Sequence, residues 1–413
     1  MNFNIKNLYL SIIFLLPALL QAQVFDPNKG CVIDNNGNCV SNTLLTAMPF
    51  LRITPDARSG AMGDMGLALS PNSNSMHFNA SNLVFSPQES GFSITYTPWL
   101  TNLNLDDIFL LYTSGYYKID KNSAIGGSIR FFSLGDIDFT DAQGRSVGTG
   151  RPREGEFSVA YARKLGDKLS ASLTGKYIFS NLASGQQVNG VDINTAKAFA
   201  ADLGVNYRTN STLWGYKSEV SLGAAITNIG SKVSYTRDNL VKDFIPANMG
   251  LGTAIKLNFD QHNTLTFGVD FNKLLVPTPI AYKMIDANNN EIVNPEWDKD
   301  GNDIADYREK SLFSGILGSF TDAQGGFREE LKEVAVSIGA EYWYDNQFAF
   351  RTGYYWESQE KGNRQYFTVG AGIKYNVFGI DLSYLVPTSV IPNPLDNTLR
   401  FSLLFDFSLF QAD

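Results

Sequence analysis

Histidine and cysteine are almost missing from this 413-residue chain, with two of each. General acid-base and nucleophilic chemistry most often needs a histidine within hydrogen-bond reach of its partner. His77 sits in a run of small polar residues and His262 in the turn DQHNT, and neither has a neighbour at triad or metal-ligand spacing. No catalytic residue and no metal site is therefore assigned, and the chain is not read as an enzyme. Cys31 and Cys39 flank VIDNNGN, which carries an Asn-Gly turn signal, so a local disulfide is expected. Basic runs are lacking too. The formal charge is −8, and the amino-terminal segment carries only Lys6, leaving about −9 (−8 minus 1) for the rest; no nucleic-acid partner is expected. Long apolar runs are confined to the start. Lys6, the stretch Leu8 to Leu20 and the small residue Ala22 describe a secretory signal peptide over residues 1–22, cleaved near Ala22. After it no stretch reaches the 18 apolar residues of a transmembrane helix, so any membrane location would have to use strands.

What is present is alternation. From residue 91 onward, segments of about ten residues show period-two patterning between turn residues, as half-buried strands do. One such face is Val334, Val336, Ile338, Ala340, Tyr342 and Tyr344; the other is Ala335, Ser337, Gly339 and Glu341. Candidate starts near 91, 107, 122, 154, 168, 196, 217, 246, 263, 332, 346, 364, 377 and 398 give fourteen strands, an even number as antiparallel closure requires. Three features favour a membrane barrel over a soluble sandwich. Apolar faces end in aromatics such as Trp99, Tyr207 and Tyr375, the length suits a tilted strand crossing hydrocarbon, and the polar faces carry Arg130, Lys176, Asp202, Asp270, Glu341 and Arg400. The fold class expected is all-β, a fourteen-stranded antiparallel transmembrane β-barrel with an N-terminal plug. The barrel would occupy residues 91–410, behind an N-terminal extension at 23–44 and a lumenal plug at 45–90. The last strand ends at Phe410, with QAD after it.

The plug expectation rests on ITPDARSGAMGDMGLAL, residues 53–69. Its glycines fit neither G-x-G-x-x-G nor G-x-x-x-x-G-K-[ST], so they do not cradle a phosphate. Gly60, Gly63 and Gly66 instead make a face nearly free of side chains that lets backbone approach a wall. Asp56 after Pro55 suits the cap of the first turn. A barrel this wide is not filled by its own side chains. Pro55, Asp56, Arg58, Gly60, Gly63, Asp64, Gly66, Asn79 and Asn82 are assigned to plug packing. Greasy lumenal positions are expected at Phe109, Leu111, Phe132 and Leu404. A long external excursion at 276–331 contains DKDGND, but Gly301 falls at the fourth position rather than the sixth of a calcium loop, and a solvated acidic loop is the reading adopted. Its aromatics Trp297, Tyr307, Phe313, Phe320 and Phe327 suit contact with a partner.

Four stretches together carry a resemblance: PDARSGAMGDMGLALSPNSNSMHFNASNL, GGFREELKE, YYWESQEKGNRQYFTVGAG and PNPLDNTLRFSLLFDF. The first resembles the wider FadL-like family of plugged fourteen-stranded barrels. With the others, the chain resembles the PorV-like outer-membrane proteins of the Bacteroidetes type IX secretion system. The resemblance implies a shuttle without cofactors. It would receive the C-terminal signal domain of a cargo protein from a large translocon barrel (SprA or Sov) and deliver it to the attachment complex containing the sortase-like PorU. Outer membrane lipid would be its other partner. The alternative it leaves open is a FadL-type transporter of hydrophobic compounds.

Overall fold

The computed structural model describes residues 24–407, apart from 30, 34–36, 41, 101–104, 106, 141–142, 189–190, 237–240 and 389–397. The signal peptide, Phe410 and the first part of PNPLDNTLRF lie outside the described residues. Fourteen antiparallel strands form a closed barrel. In chain order they are β1 (Ser90–Pro98), β2 (Ile108–Lys118), β3 (Ser123–Leu134), β4 (Arg153–Lys164), β5 (Leu169–Asn181), β6 (Ala196–Leu213) and β7 (Tyr216–Gly230). They continue with β8 (Asn248–Asn258), β9 (Asn263–Leu274), β10 (Val334–Tyr344), β11 (Phe348–Trp356), β12 (Gln365–Tyr375), β13 (Phe378–Pro387) and β14 (Leu399–Phe407). Every start lies within two residues of the position read from alternation. Each strand pairs with its neighbour in sequence, and β14 closes on β1 with Phe401 opposite Tyr96.

The two faces are those of a protein solvated by lipid. On β9, Phe267 and Phe271 are about half exposed, whereas Thr266 and Asp270 are buried. Aromatics pair laterally on the outer surface, Tyr177 with Phe199 at 5.3 Å and Tyr354 with Phe367 at 4.7 Å between ring centroids. One expectation is overturned on β2. Its start, IFLLY, is apolar at consecutive positions, so alternation leaves the phase open by one residue. Register decides it. Leu111 lies opposite the outward Tyr96, Phe109 packs on Tyr96 and Phe131, and the lumen receives the buried Leu110 and Tyr112 instead. Phe109 and Leu111 thus face lipid, while Phe132 is inward and buried, and Leu404 lies opposite the inward Ser93.

The two ends differ. One carries short turns, such as 214–215, 345–347 and 376–377; the other carries every long connection, including 135–152, 231–247 and 275–333. Asp345 and Asn346 both adopt positive φ (54° and 53°), the twist that lets so short a turn join paired strands. Outer-membrane barrels keep short turns on the periplasmic side and long loops outside.

Before β1 the chain runs from the long-loop end to the short-turn end. A hairpin of Val24–Asp26 and Cys31–Ile33 sits at the long-loop end, and the Cys31–Cys39 disulfide, with Cα atoms 5.7 Å apart, ties its second strand to the chain that follows. It extends a small sheet in which Val24–Asp26 runs parallel to Lys283–Ile285, itself paired with Glu291–Val293. The chain then enters the lumen. Met48, Phe50 and Leu51 pack on Leu110, Phe132 and Ile178 near the mouth, and Met76, Leu83 and Val84 pack on Tyr116, Ala124 and Ala162 near the turns.

Candidate functional site

The lumen is occupied by residues 47–86, and many polar groups of this segment bond to the wall. Helix α1 (Ala57–Gly60) is a single turn capped by Asp56, whose carboxylate accepts Ser59 N–H at 2.9 Å. Burial pushes that carboxyl up to about 6, against the hydrogen bonds from Ser59. Pro55 before it is buried. Arg58 forks onto Glu341 of β10 with two bonds of 2.8 and 2.7 Å. Arg351 binds the same carboxylate at 2.7 Å and passes its other nitrogen to Asp381 at 2.7 Å. The four charges, one on the segment and three on the wall, alternate in sign, the arrangement in which buried ions offset their lost hydration.

Gly63 meets backbone directly. Its φ is +68°, and a Cβ added there would stand 2.6 Å from Tyr354 O and 2.8 Å from Ile338 O. The wall is equally bare at this point: Gly268, Gly339 and Gly353 lie in register across β9, β10 and β11, and a Cβ on Gly353 would fall 2.1 Å from Gly63 N. Gly60 faces the Arg400 side chain. Gly66 faces Phe78 of the same segment, because the helix stops at Gly60 and the three glycines do not share a helical stripe. Asp270 receives the N–H groups of Gly66 and Leu67 at 2.7 and 2.9 Å. Tyr366 donates to Asp64 at 2.5 Å, with Arg400 3.8 Å from its other oxygen. Asn79 donates to Val205 O at 2.9 Å and caps the 3-10 turn at Ser81, and Asn82 accepts from Arg208 at 3.3 Å. Helix α2 (Ser75–Phe78) carries His77, whose Nδ1 accepts from Arg130 at 2.6 Å. Burial, then the charges of Arg130 and Lys176, hold this imidazole well below the usual histidine range. It is a neutral acceptor.

Between the first part of this segment and the wall, near the loop end, lies a cavity of about 400 Å³. Phe50, Ile53, Trp99 and Phe132 wall it, and Arg52, Arg364 and Arg400 reach it from the side of Asp64. Two of these cations share Glu357: Arg364 binds it at 2.8 Å and Arg52 at 3.2 Å.

The excursion between β9 and β10 is fastened rather than loose. Trp297 stands edge-on to Tyr282 at 4.9 Å, and Tyr307, on α3 (Asp306–Glu309), is half-buried beside Arg308, which binds Asp243 at 3.0 Å. The carboxylates of Asp298, Asp300 and Asp306 come within 4.8 Å of one another, and Asp298 also accepts N–H groups from Gly301 and Asp303. Helices α4 (Leu312–Gly318) and α5 (Phe327–Lys332) follow. Phe313, Phe320 and Phe327 are exposed, and Phe320 and Phe327 face the outer surface of β8 and β9. The fastening comes from residues that sequence reading did not single out. Lys273 binds Glu330 and Glu333 at 2.9 and 2.6 Å, Lys361 binds Glu329 and Glu333, and Asn42 reaches Glu329 at 3.3 Å. The glutamates lie in GGFREELKE, a stretch whose only use in the sequence reading was its family resemblance.

The sequence profile of type IX secretion system protein PorV matches residues 36–281. No curated protein matches the chain. Among solved structures, the toluene transporter TbuX of Ralstonia pickettii is similar at 14% identity and a TM-score of 0.48, covering 85% of this chain and 98% of that one. The toluene transporter TodX of Pseudomonas putida follows at 11%, 0.46, 88% and 98%. A FadL homologue of Pseudomonas aeruginosa stands at 9%, 0.43, 89% and 100%. Likeness at this level says nothing of what the present chain binds.

Proposed function

This chain belongs to the PorV family of type IX secretion system proteins, and from that premise we propose that it is the system's outer membrane shuttle. It receives the C-terminal signal domain of a cargo protein from the large translocon barrel and delivers it to the PorU-containing attachment complex. The observation that carries this reading is the division of the molecule. Its lumen is occupied from mouth to turns by a segment bonded to the wall at Glu341, Thr368, Asp270 and Val205, while its loop end carries a braced crown. Such a body diffuses in the membrane without leaking and offers a stable surface to another folded domain. Residues 45–90 act as the seal, and the upper crown around Trp297 and Tyr307, with its acidic loop, grips the partner. Deleting residues 286–305 tests the contact. Cargo release and co-purification with the translocon are expected to fail with barrel levels unchanged; normal secretion from such cells would overturn the proposal.

A second reading is favoured by the mouth cavity. Its apolar walls and cationic side suit an amphiphile, as in a transporter of hydrophobic compounds. Binding of a long-chain fatty acid that is lost on substituting Phe132→Asp would support it, and secretion unaffected by loss of the protein would be required.

A further inference from the structure

Helix α5 is built inside out. Glu329 and Glu330, with Glu333 just beyond, are buried and held by Lys273 and Lys361, whereas Phe327 and Leu331, one turn apart, are 75% and 54% exposed. Helix α4 shares the exposed apolar face. Its buried Gly315 packs on Phe244 and Pro277, while Phe313 and Leu317 are 70% and 73% exposed. A helix surrounded by water turns its carboxylates outward and its phenylalanines inward. Helix α5 does the reverse and α4, which carries no carboxylate, leaves Phe313 and Leu317 outside, as elements solvated by hydrocarbon do.

Their place on the barrel says which hydrocarbon. Helix α5 and Phe320 stand beside the wall, and a cleft of about 250 Å³ separates them from it. Phe320, Phe327 and Leu331 form its outer side, and Leu251, Phe271 and Val334 its inner side. Leu251 and Phe271 are register partners on the lipid-facing surface of β8 and β9, so the cleft continues the surface that the membrane already covers. The charges at its top are paired, Lys273 with Glu330 at 2.9 Å. Arg328 is exposed beside Phe327 and makes no ion pair among the described residues.

We propose that α4 and α5 are seated in the outer leaflet and that the cleft between α5 and strands β8 to β10 holds one acyl chain of a leaflet lipid, with Arg328 at the level of its phosphate. Interfacial helices bind through buried apolar area together with attraction between cations and anionic headgroups, and this pair supplies both. The seat fixes the crown upright over the membrane plane, which goes beyond the partner contact proposed above.

The test uses the full chain in nanodiscs of phosphatidylethanolamine and phosphatidylglycerol. A benzophenone amino acid is placed at Phe327, at Leu331 or, as a control, at Trp297. Irradiation is expected to give lipid adducts from the first two positions and at least tenfold less from the third. Leu331→Glu is expected to cut the lipid retained in detergent extracts at least fivefold, with the barrel still folded by heat-modifiable migration. Equal labelling at all three positions, no lipid adduct at Phe327 and Leu331, adducts to a protein alone when the experiment is repeated in native membranes, or undiminished lipid in Leu331→Glu would each overturn the proposal.

Discussion

Substituting Gly63→Ala adds one carbon at the tightest point between the lumenal segment and the wall. The new Cβ would lie 2.6 Å from Tyr354 O and 2.8 Å from both Ile338 O and Tyr354 N. These are backbone atoms of β10 and β11, held by ladder bonds on both sides, so the segment has to move rather than the wall. A left-handed φ costs an L-residue about 1–2 kcal/mol, and overpacking of this kind about 1–3 kcal/mol. Retreat of the segment also breaks the 2.9 Å bond from Gly63 N–H to Thr368 Oγ1, worth about 1 kcal/mol. The sum is roughly 3–6 kcal/mol, or ~10²- to 10⁴-fold in the unseated population at about 1.4 kcal/mol per decade. Hydrogen exchange read by mass spectrometry over residues 57–69 is expected to speed up by at least ~100-fold, with the strands unchanged, and planar-bilayer recordings are expected to show openings absent from the native protein. Gly144→Ala is the control, since Gly144 has φ +75° but nothing within 4 Å of an added Cβ. Equal exchange in the two variants would refute the argument, as would loosening confined to the strands.

Two further expectations use other parts of the molecule. The only two histidines should titrate apart in an NMR experiment on the folded protein. His77 should stay neutral far below 6.5, so its effect on stability is full above 6.5 and declines as pH falls, while the exposed His262, raised by its hydrogen bond and charge pairing with Asp345, favours the fold below 6.5 and loses that effect as pH rises through its higher value. A normal titration of His77 would mean that it does not sit against Arg130. An epitope placed immediately before Val24 should be bound by antibody on intact cells, because Val24–Asp26 pairs with Lys283–Ile285 at the long-loop end; labelling only after permeabilisation would reverse the assigned orientation.

Much of the fold was legible because a strand writes its two faces into the sequence locally. Alternation over β9, β10 or β12 needs no knowledge of the neighbours, and an apolar face next to a charged one already separates a lipid-solvated barrel from a sandwich with a dry core. Where both phases of a strand are apolar, the local pattern does not separate inside from outside. In IFLLY both phases are apolar, and only pairing with β1 puts Leu110 inside and Phe109 outside.

The candidate site was less legible, because its contacts join residues far apart in the chain. Nothing near Arg58 points to Glu341, and nothing near Gly63 points to Gly353; the pairings follow from how closure and register set the wall opposite the segment. FREELKE shows the same limit more sharply. Composition marks it as charged, and a charged helix is ordinarily read as solvated. Lys273 and Lys361 draw its glutamates inward and leave Phe327 and Leu331 outside. Strand number, strand position and the lipid-facing character of the barrel were thus determined by the sequence alone, since they depend on neighbours one and two residues away. The seating of the lumenal segment, the phase of β2 and the outward face of α5 were decided only by the tertiary structure, since each depends on charges and backbone that closure brings together.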